Sequence, residues 1–186
     1  MEEEEQLSDD ALMIELINKD KNNFYLLTNA YKDKLERYIK RISFFAQAEV
    51  EDILQEVFIK VYINLNSFDK SLKFSSWIYR IAHNLVIDKI RKNSKRTRDV
   101  SIDDEYLSLI IKSNEDLHVD LVNRESVEKL KNVIFGLSDS YREVLILRFI
   151  EEKSYEEICD ILKKPKGTIA ALINKGRKII KEKLVL

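Results

Sequence analysis

The sequence predicts an all-α fold of two small helical domains joined by a flexible linker. Three observations carry that expectation. Glycine occurs 3 times and proline once in 186 residues, and a chain so poor in both has few tight turns and favours long helices. Apolar residues recur at spacings of three and four in two separate stretches, the period of one helix face, with no run of strict alternation such as a half-buried strand would need. Between those stretches the chain is polar and acidic with only short apolar runs. The expected organisation is a first domain over residues 1–93, an acidic linker over 94–125 and a second domain over 126–186.

The elements follow in order. Residues 8–42 read as helix, on Ala11, Ile14, Leu16 and Ile17, then Phe24, Leu27, Tyr31, Leu35, Tyr38 and Ile39. Residues 48–66 give the clearest helix, because Val50, Ile53, Leu54, Val57, Phe58 and Val61 form one unbroken apolar stripe. A connection from Ser67 to Lys73 leads to a helix at 74–93, whose stripe is Ile78, Ile81, Ala82 and Leu85. The linker has room for a short helix near Tyr106–Ile111. In the second domain Ser140 with Glu143 spells a capping box, and Ser138 is an equally good cap for the same helix. Ser154 with Glu157 spells a second box, ahead of Tyr155, Ile158 and Leu162. Lys164 and Pro165 end that helix, since a residue before proline avoids the α region. Gly167 and Thr168 open a last helix carrying Ile169, Leu172, Ile173, Ile179 and Ile180. Two short helices joined by a tight turn, the second followed by bases, make a helix-turn-helix pattern.

Charge adds a second pattern. The net charge is only −1, but it is unevenly spread. Residues 1–20 carry 8 acids and 1 base, residues 70–98 carry 9 bases and 1 acid, residues 99–128 carry 9 acids and 2 bases, and residues 163–183 carry 8 bases and 1 acid. Two basic patches separated by acid suit phosphate backbones; the plainer reading is ordinary solvated helix faces. No apolar run reaches the roughly 18 residues of a membrane span, so no direct membrane insertion is expected. The acidic start is the opposite of a secretory signal, and a cytoplasmic protein is expected. A lone cysteine, Cys159, excludes an internal disulfide and a thiolate metal cluster, and reads as a small core residue.

Three constellations are candidates for function. Glu49, Asp52, Gln55 and Glu56 lie opposite the stripe of the 48–66 helix. Asp52 and Glu56 share a face at i, i+4, where they suit a basic partner helix, a divalent metal or plain solvation. A metal usually needs ligands from a second element, and no such set is visible. Trp77, Arg80, Asn84, Ile87 and Arg91 fall on one side of the 74–93 helix. An aromatic ring beside arginines and an amide can stack on unpaired bases and bind phosphates; alternatively Trp77 is core and the bases are solubility charges. His83, near that face, reads as structural. The third candidate is the helix-turn-helix, whose second helix would enter a major groove, or whose hairpin would bind a protein. There is no Gly-rich phosphate loop, Ser/His/Asp set or metal-ligand pattern, so no enzyme, cofactor, metal or small-molecule substrate is expected.

The run Ala48-Glu49-Val50-Glu51-Asp52-Ile53-Leu54-Gln55-Glu56-Val57-Phe58 continues through Ser67-Phe68-Asp69 to Phe74-Ser75-Ser76-Trp77-Ile78-Tyr79-Arg80-Ile81-Ala82-His83-Asn84-Leu85 and Ile87-Asp88. It resembles the most typical segment of small bacterial sigma factors, the extracytoplasmic-function (ECF) type of the sigma-70 family. Leu137 to Arg148, Ser154-Tyr155-Glu156-Glu157-Ile158 and Gly167-Thr168-Ile169 resemble that family's second conserved domain. The resemblance covers roughly residues 8–93 and 126–184, in the family's order. It implies a non-enzymatic subunit that binds core RNA polymerase, melts promoters and initiates transcription. Glu49, Asp52, Gln55 and Glu56 would dock on the clamp helices of the polymerase's largest subunit. Asp69, Lys70, Lys73, Trp77, Arg80, Asn84 and Arg91 would bind the minus-ten element and hold a flipped base. The second domain would bind the polymerase flap and meet the minus-thirty-five element through Lys166, Thr168, Ala170, Asn174, Lys175, Arg177 and Lys178. The linker would thread toward the RNA exit path, and an anti-sigma factor is an implied partner.

The last helix departs from the family pattern. A basic residue, a serine and an arginine are common after Gly-Thr-Val, and here those positions are Ala170, Ala171 and Leu172. Alanine can touch a thymine methyl but cannot donate bidentate bonds to guanine, so minus-thirty-five recognition is expected to be relaxed or to lean on DNA shape. A stand-alone helix-turn-helix regulator would leave the motif at 48–91 unused. A metal-dependent nuclease on Asp52 and Glu56 would lack its second ligand set.

Overall fold

The computed structural model describes residues 9–43, 45–69, 71–92, 133 and 136–184, all outside any strand. The chain divides into two compact units, Met1–Ser94 and Lys95–Leu186. The expected linker, its short helix near Tyr106–Ile111, and Lys70 lie outside the described residues.

The first unit contains α1 (Asp9–Lys19), α2 (Phe24–Ser43), α3 (Gln47–Asn64) and α4 (Phe74–Lys92), with single 3-10 turns at Lys21–Asn23 and Leu65–Ser67. One helix expected over 8–42 is therefore two. Asp20 breaks it: its backbone is extended at φ −145° and ψ 117°, and its carboxylate accepts from the Asn22 N–H at 2.9 Å. The Asn23 side chain then donates to the Leu16 carbonyl at 3.1 Å, closing the end of α1. Short polar side chains compete in this way with the helical ladder. Apolar spacing alone does not reveal the break, because Ile17 and Phe24 stay in helical phase across it.

α3 buries the stripe expected of it. Val50, Ile53, Leu54, Val57 and Val61 are each 5% exposed or less, while Phe58 is half-buried. Burying each such side chain is worth roughly 1.5–3 kcal/mol. α4 turns a different face inward than expected. Phe74, Ile78, Tyr79, Ala82, His83 and Val86 are buried, whereas Ile81 and Leu85 are half-exposed. The rotation follows from two polar-tipped residues that the apolar pattern passes over. Tyr79 packs on Tyr38 with ring centroids 5.0 Å apart, and the Tyr38 hydroxyl lies 3.2 Å from His83 Nδ1. A buried imidazole with a hydrogen-bond partner is a stable core residue, which is the structural role expected of His83.

The second unit contains α5 (Asp139–Phe149), α6 (Tyr155–Leu162) and α7 (Lys166–Leu184). Ser138 is the N-cap of α5, and Ser140 sits inside the helix, exposed. The Ser140–Glu143 box is thus not made, and Glu143 is buried instead. The second box is made: the Glu157 N–H donates to Ser154 Oγ at 3.2 Å and the Ser154 N–H to Glu157 Oε2 at 2.8 Å. α6 ends at Leu162 on a left-handed Lys163, one residue before the expected Lys164–Pro165 stop. The Pro165 carbonyl accepts from the Ile169 N–H at 3.1 Å and so opens α7, which begins at Lys166. α7 crosses α5 closely at Gly176, where a Cβ would stand 3.0 Å from Leu145 Cδ1. Cys159, expected in the core, is half-exposed on α6.

Candidate nucleic-acid interface

The turn between α3 and α4 is built by local polar bonds. Ser67 Oγ donates to the Asn64 carbonyl at 2.8 Å, the Ser71 N–H donates to Asp69 Oδ1 at 2.9 Å, and the Leu72 N–H to the Asp69 carbonyl at 3.0 Å. The bonds from Ser71 favour the ionised Asp69 and lower its pKa. This turn delivers Phe68 against α4. Phe68, Phe74 and Trp77 form one aromatic cluster, with centroids 5.2 Å apart for Phe68–Trp77, 5.4 Å for Phe68–Phe74 and 5.5 Å for Phe74–Trp77. Phe74 is buried, while Phe68 and Trp77 are half-exposed. Trp77 is therefore neither pure core nor a free ring: its base is packed and the rest of it meets solvent.

From Trp77 the outer face of α4 runs through Arg80, Asn84, Ile87 and Arg91, all half-exposed or exposed. Arg91 is 3.9 Å from Asp88, one turn back. The structure thus brings Asp69, Trp77, Arg80, Asn84 and Arg91 onto the turn and the outer face of α4, with Lys73 exposed just ahead of the helix. Phe68 joins this surface without having been selected from the sequence. The signal was there, in an aromatic residue directly before the turn.

On α3, Asp52, Gln55 and Glu56 are exposed and Glu49 is half-buried. Glu49 Oε2 accepts from the Ala46 N–H at 3.3 Å at the helix start, so this carboxylate has a capping task. Glu56 lies 3.6 Å from Lys60. Among the described residues no group of three or more His, Cys, Asp and Glu side chains is arranged to hold a metal ion, and no helix is long and apolar enough to cross a membrane.

In the second unit, Gly167, Thr168, Ala171, Asn174, Lys175 and Lys178 form the exposed arc of α7, with Lys166 exposed at its start. Ala170 and Arg177 are half-exposed at the edge of that arc, so Ala171 rather than Ala170 is the alanine facing outward. Several bases have internal partners. Lys166 is paired with Glu156 of α6, Lys178 with Glu182 at 3.7 Å, and Lys175 lies 5.9 Å over the Tyr141 ring. The α6 end of the motif is held by Arg148, which stacks on Tyr155 at 5.5 Å and donates to the Lys153 carbonyl at 3.0 Å.

Residues 27–96 match the Sigma-70 region 2 family and residues 128–180 match Sigma-70, region 4. The chain is 35% identical over 178 residues to the ECF RNA polymerase sigma factor SigW of Bacillus subtilis, covering 89% of this chain and 90% of that protein. The chain belongs to the ECF sigma factors. As one of them it binds core RNA polymerase, recognises and melts promoters and initiates transcription. The ECF sigma-E factor of Escherichia coli K12 is 30% identical over 187 residues, covering 97% and 96% of the two chains. The fold is shared with the Bartonella quintana sigma factor RpoE, solved in complex with the anti-sigma factor NepR. That likeness has a TM-score of 0.66 at 20% identity and covers 88% of this chain and 98% of that one. CnrH, solved in complex with the cytosolic domain of CnrY, also gives 0.66, at 17% identity and with 92% and 94% covered. The helix-turn-helix of α6 and α7 is therefore the second DNA-binding part of a two-part sigma factor.

Proposed function

We propose that this sigma factor uses the α3 face of Glu49, Asp52, Gln55 and Glu56 to dock on the clamp helices of core polymerase. The turn residues Asp69 and Lys73 and the α4 face of Trp77, Arg80, Asn84 and Arg91 take the minus-ten element, a task assigned from the sequence to Lys70 as well. Lys166, Thr168, Ala170, Asn174, Lys175, Arg177 and Lys178 meet the minus-thirty-five element, and the second unit also binds the polymerase flap. The regions 1–93, 94–125 and 126–186 divide these tasks. The protein works in the cytoplasm, where polymerase and promoter meet, and catalyses no covalent step. An anti-sigma protein is the natural partner that would cover these faces; the Bartonella quintana relative is solved in complex with one.

The observation that carries the melting role is the half-exposed Trp77, braced at 5.2 Å by Phe68 with Arg80 and Asn84 on the same side of α4. A braced ring loses little freedom when a base stacks on it, and each base so captured is worth about 1–3 kcal/mol by alanine substitution. That is comparable to the cost of unstacking a step, so one or two captured bases tip the opening. Transcription with purified core polymerase on genomic fragments should give discrete start sites that need this protein. Trp77→Ala should lose permanganate-reactive, opened DNA while retaining closed complex in gel shift. Equal loss of both refutes a stacking role for Trp77.

A further inference from the structure

We infer that Lys89 is a positioning residue that links the polymerase-facing side of α3 to the promoter-facing helix α4; this rests on the assignment of Asp52 to the polymerase face. Lys89 leaves α4 near its C-terminal end and crosses toward the start of α3. Its ammonium lies 4.0 Å from Asp52 Oδ2, 3.4 Å from the Glu49 carbonyl and 5.6 Å over the ring of Phe45. These three contacts belong to three successive parts of the chain: the connection after α2, the first turn of α3 and the exposed face of α3. The Lys89 side chain is 27% exposed and that of Asp52 is 76% exposed. The cation is therefore held inward while the carboxylate stays open to a second cation from outside.

The arrangement has a clear physical consequence. An isolated exposed ion pair contributes little, because solvent screens it and both side chains lose freedom. Here the aliphatic stem and the aromatic contact already restrain the lysine, so the ordering is largely complete before Asp52 is engaged. Asp52 then meets a basic partner helix with its rotamer already restricted, and the docking step loses less side-chain freedom. The same ammonium ties the first turn of α3 to the last turns of α4, so polymerase docking and the setting of the Trp77–Arg91 face share one anchor. Sequence pattern hides this role, since Lys89 reads as one more base in a basic stretch.

The test is a double-mutant cycle on core-polymerase affinity with the full chain, using Lys89→Met, which retains the stem over Phe45 and removes the charge, and Asp52→Asn. Lys89→Met is expected to weaken core binding by about two- to fivefold with an unchanged thermal midpoint, and Lys89→Arg to restore it. In the Lys89→Met background Asp52→Asn should lose most of its effect, whereas Gln55→Ala should keep its own. Strict additivity of the Lys89 and Asp52 changes, or tighter core binding by Lys89→Met, overturns the positioning role and leaves the polymerase face standing. An Asp52→Asn variant that binds core as tightly as the parent overturns both. If Lys89→Met lowers the thermal midpoint, the cycle is run with Lys89→Gln at a temperature where all variants are folded, and the same criterion applies.

Discussion

Lys163 stands at φ 52° and ψ 43°, a left-handed backbone in which a side chain with a Cβ is strained. It lies between α6 and α7, where the chain must reverse before Pro165. Glycine would adopt the same conformation without the Cβ penalty, although its greater freedom in the unfolded chain offsets part of the gain. Lys163→Gly is expected to stabilise the second unit by about 0.5–1 kcal/mol. Chemical denaturation of the full chain followed on the second unit would show it as a higher midpoint; a lower midpoint would mean that the Lys163 side chain holds the turn by a contact outweighing its strain. In the first unit the Tyr31 hydroxyl donates to Asp10, with oxygens at 2.7 and 2.8 Å, and ties α2 to α1. Burial, chiefly, and then the Asp10 carboxylate push the Tyr31 pKa well above its ordinary value, so this tyrosine stays a donor at any working pH.

At the scale of the element, α5 shows what apolar periodicity conveys and what it omits. Leu145, Ile146 and Leu147 form an apolar run and are core, but Arg142 and Glu143 are buried with them at 2% and 7% exposure. Arg142 is paired with Asp139, a local i, i+3 partner. Glu143 is pushed up to about 7, first by burial, with Asp139 adding to the shift and Lys164 and Arg142 opposing it. Its folded pKa is above the ordinary value of 4.5, so folding favours the protonated form. That contribution is present in full below about pH 4.5 and is lost as pH rises through about 7. Glu143→Gln, a permanent mimic of the neutral acid, should match the parent near pH 4.5. It should be more stable near pH 8 by about 3 kcal/mol, taking 1.36 kcal/mol per pKa unit. Thermal melts of both chains across that range check this, and parallel midpoints would show that Glu143 is ionised at no cost in the folded state. The spacing Ser-x-x-Glu offers Glu143 a capping box with Ser140, beside Ser138 as an equally good cap, and Ser138 is the N-cap that forms. The packed face of α5 overrides the Ser140 box. The apolar pattern misses the α4 face for a related reason: Tyr79 and His83 carry polar tips yet turn inward toward Tyr38, where Tyr79 packs on the ring and His83 pairs with the hydroxyl. By contrast, the α3 stripe and the Ser154–Glu157 box were legible because each depends on neighbours in sequence. The braced Phe68–Trp77 pair and the Lys89 anchor join residues of different elements, and only the folded backbone brings them together.

For the whole molecule, the decisive question is how the proposed minus-thirty-five contact would read sequence through a helix whose outward arc offers so few base-reading groups. Of that arc, Ala171 presents only a methyl, which can meet a thymine methyl and nothing else. Lys175 is drawn over Tyr141, and Lys178 and Lys166 have carboxylate neighbours, so these bases suit phosphates better than base edges. Asn174 is exposed and is the amide of the arc that can make a bidentate bond to adenine. The chain's two basic stretches, with 9 bases to 1 acid over 70–98 and 8 to 1 over 163–183, give both units the same electrostatic attraction for DNA. We therefore expect sequence discrimination to rest mainly on the opened minus-ten strand, with the upstream contact supplying affinity. Selection from a randomised upstream library by the polymerase complex should yield at most one strong preference, an adenine, on a background set by DNA shape. Upstream binding should fall steeply with salt, as phosphate contacts do. Asn174→Ala should remove the adenine preference at a cost of about 1–3 kcal/mol at that position, and Ala171→Arg should create a guanine preference where the parent has none. Strong selection of guanine by the parent at the positions facing Ala170 or Ala171 would sink this account. It would mean that a side chain outside the exposed arc, or a group on the polymerase, reads the upstream element.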